Sequence, residues 1–303
     1  MLQLATMSTS TLQLKCQDIQ ETTEFLTGVA GFRLDEIFPA DSPRRARLSK
    51  GERVLELVVA KTGAATNGDW QTGRAGMQYR DLVPDRLDGH VIASHIRIPD
   101  GGPVPDYVHY HDILFQSIYC YKGWVRVVYE DQGPPFVMQA GDCVLQPPGI
   151  RHRVLECSDG FEVIEFGCPA EHVTHVEHDI DLPTAALDTE RLFGGQKFVR
   201  FQADGSAWQE APTYEFLDTG ISNATNNLAS LIVVRPRAGL DMQLAASESD
   251  VVIVSLFGSG SCNAAGCGSL QPGDCIHVPA GQPAEFTAMS EDFRLLVCRL
   301  PAR

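Results

Sequence analysis

The chain has 303 residues, 44% of them apolar and 21% charged, which suits a globular protein of two or three domains. With 39 acidic and 24 basic residues the formal charge is −15, which argues against a nucleic-acid surface or an anionic membrane face as the main partner. No apolar run approaches the roughly 20 residues of a membrane span, and the start lacks the pattern of a secretory signal. The nine cysteines include no CxxC pair, so reduced, mostly buried thiols in a cytoplasmic protein are expected.

Residues 1–62 read as a small α+β module. "TLQLKCQD" is a strand, "IQETTEFLTGVAG" has helical spacing with Gly31 as its cap, and "FRLDEIF" and "RVLELVVA" are alternating strands. "KTGAATNGDWQTG" (61–73), rich in Gly, Thr and Asn, reads as a linker. An internal repeat follows. "WQTGRAGMQYRDL" matches "WQEAPTYEFL", "IASHIRIPDGG" matches "LASLIVVRPRAG", and "AGDCVLQPPGIRH" matches "PGDCIHVPAGQPA", offset by 132 to 138 residues. Short strands broken by Gly and Pro at regular spacing predict two copies of one all-β unit, a sandwich or barrel, over 67–172 and 193–303 with a linker at 173–192.

In "YVHYH", Tyr107, His109 and His111 share one strand face, because side chains alternate with period two. Gln116, Ile118 and Cys120 share a face of the next strand, and the hairpin "GDCVLQPPGIRH" delivers His152 into a third. Two imidazoles from one strand and one from across the barrel can converge on an ion. Imidazole suits Zn, Cu, Fe and Ni alike, and three nitrogens with one weaker oxygen leave coordination positions open for catalysis.

These residues resemble the two motifs of the cupin superfamily, roughly G(x)5HxH(x)3–4E(x)6G and G(x)5PxGxxH. Gly141, Pro147, Gly149 and His152 match the second in full; His109, His111 and Gly123 match the first, whose leading glycine is displaced to Gly102. The resemblance implies two jelly-roll barrels in tandem, a mainly β protein behind the small α+β module. It also implies a divalent ion at His109, His111, Gln116 and His152: iron(II) first, with manganese, zinc or nickel as alternatives. Gln116 stands where the family usually has glutamate. A neutral oxygen there is a weaker ligand, and the site is expected to carry one more unit of positive charge. Three histidines with one glutamine resemble the bacterial cupin-type hydroxynitrile lyases; three histidines with a weak fourth ligand also resemble several cupin dioxygenases.

In the second repeat Leu, Ala or Ser replace the histidines and Ala284 stands where His152 does, while Gly273, Pro279 and Gly281 keep the turn. A bicupin with one live site is expected. The N-terminal segment resembles half of a vicinal-oxygen-chelate (glyoxalase-like) module. Its Glu56 falls where that family can place a metal ligand, but Thr11 replaces the first-strand histidine, so packing or dimerisation is the expected role. His172, His175 and His178 read as a solvated linker, and Cys262 with Cys267, flanked by glycines, as a turn. Arg97, His95 and Arg126 are candidates to pair with a substrate carboxylate, and Tyr107, Tyr119, Phe115 and Trp124 to wall the pocket. Nothing in the sequence supports redox control at Cys120.

Three function classes follow from the resemblance: an iron(II) dioxygenase acting on a small molecule, a manganese or zinc lyase or isomerase, and a non-enzymatic sensor. A homodimer paired through barrel edges is expected, with a small molecule as the other partner.

Overall fold

The computed structural model describes residues 11–59, 70–73, 76–83, 85–266 and 268–303. It is a mainly β protein built of two jelly-roll barrels and a small α+β module. No helix among the described residues is long and apolar enough to cross a membrane.

The module is a strand (Thr11–Cys16), a helix (Ile19–Gly28) and three strands, Arg33–Phe38, Arg45–Lys50 and Arg53–Val59. The middle strand has no clear sequence signal, because "RARLSK" offers only two apolar positions; both, Ala46 and Leu48, are fully buried. The Asp18 carboxylate accepts from Glu21 N at 2.9 Å, which satisfies one of the unpaired N–H groups of the first helical turn. The helix ends at Gly28, three residues before Gly31. Leu48, Leu55, Leu57 and Ile37 form its core under the helix.

The module's sheet does not stop at its own border. Arg33–Phe38 pairs with Thr174–Val176, which pairs with His109–His111, so module and first barrel share one sheet of ten strands. The segment expected to be a solvated linker therefore supplies an interior strand of that sheet. Past residue 193, Val199–Phe201 pairs with Cys143–Leu145 of the first barrel, and the second barrel's own sheets begin at Gln209.

In the first barrel the ten-stranded sheet faces one of seven strands that contains Phe115–Lys122, Phe161–Cys168 and Ile92–Ile98. Val125, Val127, Met138, Ile96, Val163 and Phe161 fill the space between. Alternation sends the other set of side chains outward. Phe115, Tyr119, Ile164 and Phe166 leave the barrel on its far side and pack against Leu231, Val254 and Leu296 of the second barrel. A continuous apolar layer thus joins the two sandwiches, with each fully buried large side chain contributing about 1.5–3 kcal/mol.

Candidate metal centre

Three histidines meet inside the first barrel. His109 is the register partner of His152 on the antiparallel strand, and their rings lie 4.2 Å apart. His111, two residues on and on the same face, has its ring 5.2 Å from each of the others. One nitrogen from each ring lies within 4.8 Å of the other two, and all three residues are buried.

The second nitrogen of each ring is tied back. His109 Nδ1 pairs with the Tyr107 carbonyl at 2.8 Å, His152 Nδ1 with the Ile150 carbonyl at 3.0 Å and His111 Nδ1 with Thr174 Oγ1 at 2.9 Å. A carbonyl can only accept, so His109 and His152 carry their proton on Nδ1, leaving the Nε2 lone pair as the donor for a cation. Such anchoring fixes both tautomer and ring direction, as metal-binding histidines require. The Pro147–Gly149 turn before His152 needs a residue at φ +77°, which glycine supplies.

Gln116 lines the same cavity from the facing sheet. Its Nε2 donates to Glu165 Oε1 at 2.6 Å, while its buried Oε1 has no hydrogen-bond partner among the described residues. Three imidazole nitrogens and one unsatisfied amide oxygen, all buried, fit a divalent transition metal by donor type. The cavity holds about 100 Å³ and is walled by Ile92, Ile96, Val127, Met138 and Phe161.

Four further residues reach this centre: Glu165, Thr174 and Asp41, which stand in no motif, and His172, which the sequence places in a solvated linker. Glu165 stands on the inner face of "FEVIEFGC", where a charge breaks an otherwise apolar alternation; that break is the signal that could have found it. Thr174 reaches the centre through its bond to His111. His172 lines the cavity with its ring 5.1 Å from that of His111, and its Nε2 is buried without a hydrogen-bond partner among the described residues. Burial holds its pKa below the ordinary histidine value. Asp41, from the loop after Phe38, lines the cavity as well, so the N-terminal module contributes to the pocket; Arg86 holds it at 2.5 Å and Asp81 at 2.8 Å.

Several expected pocket residues lie elsewhere. Tyr119 and Phe115 have the opposite parity to Gln116 and belong to the layer between the barrels. His95 and Arg97 alternate with the inward Ile96 and Ile98, so they face outward. There His95 bonds Glu162 at 2.7 Å, and the Arg97 guanidinium lies 3.9 Å from the Trp70 ring centre. Arg126 pairs with Glu156 at 2.8 Å on a half-exposed face, and the half-buried Trp124 does not line the cavity. Tyr107 lends its carbonyl to His109, but its side chain lines a separate groove beside the N-terminal helix.

His175 and His178 do not join His172: the first bonds Asp112 at 2.8 Å and the second the Leu34 carbonyl at 2.7 Å. Glu56 pairs with Gln13 and Arg45 on an open sheet face. Burial pushes the Cys120 thiol up to about 12, which makes it inert at neutral pH. Cys267 lies outside the described residues. In the second barrel Leu244 pairs with Ala284 as His109 does with His152, so the equivalent positions there are apolar.

No family model matches the sequence, and no curated protein matches it. Solved structures do resemble it. An oxalate decarboxylase from Lactobacillus farciminis, in a formate complex, is similar with a TM-score of 0.55 at 14% identity, over 80% of this chain and 88% of that one. Oxalate decarboxylase from Bacillus subtilis gives 0.54 at 11% identity, over 80% and 78%. Protein Ylba from E. coli, of the DUF861 family model, gives 0.54 at 12% identity, over 84% and 90%. At such identities the likeness is one of fold, and it extends over both barrels. The chain has the bicupin fold.

Proposed function

We propose that this chain is a metal-dependent enzyme acting on a small organic molecule, its ion held by Nε2 of His109, His111 and His152 and by Oε1 of Gln116. The observation that carries this reading is the convergence of three buried imidazoles, each anchored through Nδ1, with one nitrogen of each within 4.8 Å of the others. Once bound, the ion supplies Lewis acidity, and iron(II) adds the capacity to activate oxygen. The chain's own residues do the rest. The apolar walls exclude water, and Tyr129 stacks on His152 while accepting from Gln146 at 2.9 Å, which steadies that ligand. His172, neutral at physiological pH, offers Nε2 to a polar atom of the bound molecule.

An iron(II) dioxygenase-type reaction is the leading reading, because neutral ligation leaves room for a bidentate substrate and oxygen. A cavity of 100 Å³ is smaller than the apolar cavity of about 150 Å³ that accommodates benzene, so a small organic acid fits better than an aromatic ring. A manganese or zinc lyase or isomerase is the second reading. It is favoured by His172, a titratable group that lines the cavity beside His111. Metal analysis of the purified protein, then oxygen uptake with a panel of small organic acids after iron(II) loading, separates the two. Oxygen consumption supports the first reading; substrate turnover with manganese and no oxygen consumption supports the second. A metal-free protein that takes up neither ion overturns both.

A further inference from the structure

A neutral Gln116 in place of the usual glutamate leaves the ion's charge less compensated, unless the charge is supplied nearby. The structure puts a carboxylate one side chain away. Gln116 is the register partner of Gly167 and Ile118 that of Glu165, so the side chains of 116 and 165 are diagonal neighbours on one inner face. They are hydrogen-bonded at 2.6 Å and are 3% and 8% exposed. A carboxylate oxygen can only accept, so the amide must turn its NH2 end to Glu165. Gln116 Oε1 is thereby directed away from Glu165, and it is buried without a hydrogen-bond partner among the described residues.

The geometry points to Glu165 as a positioning residue: it fixes the Gln116 carbonyl oxygen toward the ion and supplies, one residue further out, the negative charge that a glutamate at 116 would bring directly. The inference rests on the metal centre proposed above. A hydrogen bond to a buried carboxylate draws density through the amide toward Oε1, making it a better donor than an isolated amide. It also accounts for the departure from the motif. A glutamate at 116 would set two carboxylates at hydrogen-bond distance, an arrangement that like charges oppose. The extra positive charge expected from the sequence is therefore offset from the neighbouring strand.

The test is a cobalt(II) titration of metal-free protein against a chromophoric chelator, with the visible absorption of the bound ion as the record of its ligands. Glu165→Gln keeps an acceptor for Gln116 and removes only the charge; it is expected to weaken cobalt binding roughly 10–100-fold without lowering the melting temperature of the metal-free protein. The exchange Q116E/E165Q returns the charge to the ligand position and is expected to recover most of the affinity, with an altered spectrum. If Glu165→Gln binds cobalt as the unaltered protein does, or if the exchange binds no better than Glu165→Gln, the role assigned to Glu165 falls. Should Glu165→Gln not fold, the exchange, which keeps the same two groups, decides: tight binding supports the inference and loss overturns it. His109→Ala distinguishes the levels. Loss of cobalt there, with Glu165→Gln unaffected, leaves the centre standing and removes only the Glu165 role. Full binding in His109→Ala removes both.

Discussion

His109 and His152 face each other as register partners across two antiparallel strands, with their rings 4.2 Å apart. Because each ring is anchored through Nδ1 to a carbonyl two residues before it, neither can swing away without breaking that hydrogen bond. Replacing either by alanine removes one of three strong donors. Metal per chain, measured by elemental analysis after loading, is expected to fall to background in both variants.

Thr174 lies outside any motif yet holds His111 Nδ1 at 2.9 Å. Valine keeps the shape and removes the partner. Thr174→Val is expected to weaken metal binding about 10–100-fold, read by chelator competition, with the fold retained.

Arg86 binds both Asp41 and Asp81, and all three side chains are largely buried. Removing the cation strands two carboxylates, whereas removing Asp41 leaves the Arg86–Asp81 pair intact. Arg86→Ala is therefore expected to cost about 3–5 kcal/mol in a denaturant titration, and Asp41→Asn clearly less. Equal costs would contradict this account of the loop.

Phe115 is fully buried between the barrels, on the strand face opposite the cavity. Phe115→Ala is expected to destabilise by about 3–5 kcal/mol while metal affinity stays unchanged. A loss of affinity with stability intact would return Phe115 to the pocket.

His95 is held neutral chiefly by burial, with Arg80 3.0 Å from Nδ1 adding to the effect; its Nε2 proton goes to Glu162. Its folded pKa lies below the ordinary value, so on acidification the unfolded chain takes up a proton before the folded one does. Stability is then present above the unfolded pKa near 6.5 and falls as pH drops through it. Thermal melts at pH 7.5 and 5.5 should show this loss, and a smaller one in His95→Gln.

Much of this molecule is written in local spacing. The repeated Gly-Asp-Cys and Pro-x-Gly segments give two barrels, and His-x-His with Pro-x-Gly-x-x-His brings the three imidazoles into one barrel, because a strand's period of two fixes which side chains share a face. That rule also links Gln116 to Ile118 and Cys120; in the second barrel the repeat puts Ala284 at the place of His152, and sheet pairing puts Leu244 opposite it.

What a period of two cannot say is which face is the inside. The sequence offers Phe115, Tyr119, His95 and Arg97 as pocket residues, and each points away from the cavity. Both faces of these strands are covered, one by the barrel interior and the other by the second barrel or the Trp70 cluster, so hydrophobicity alone does not distinguish them. The residues that complete the centre come from chain distances no motif spans: Asp41 from the N-terminal module, Glu165 from the strand beside Gln116, and His172 and Thr174 from the supposed linker. Sheet pairing places them, and only tertiary structure specifies sheet pairing.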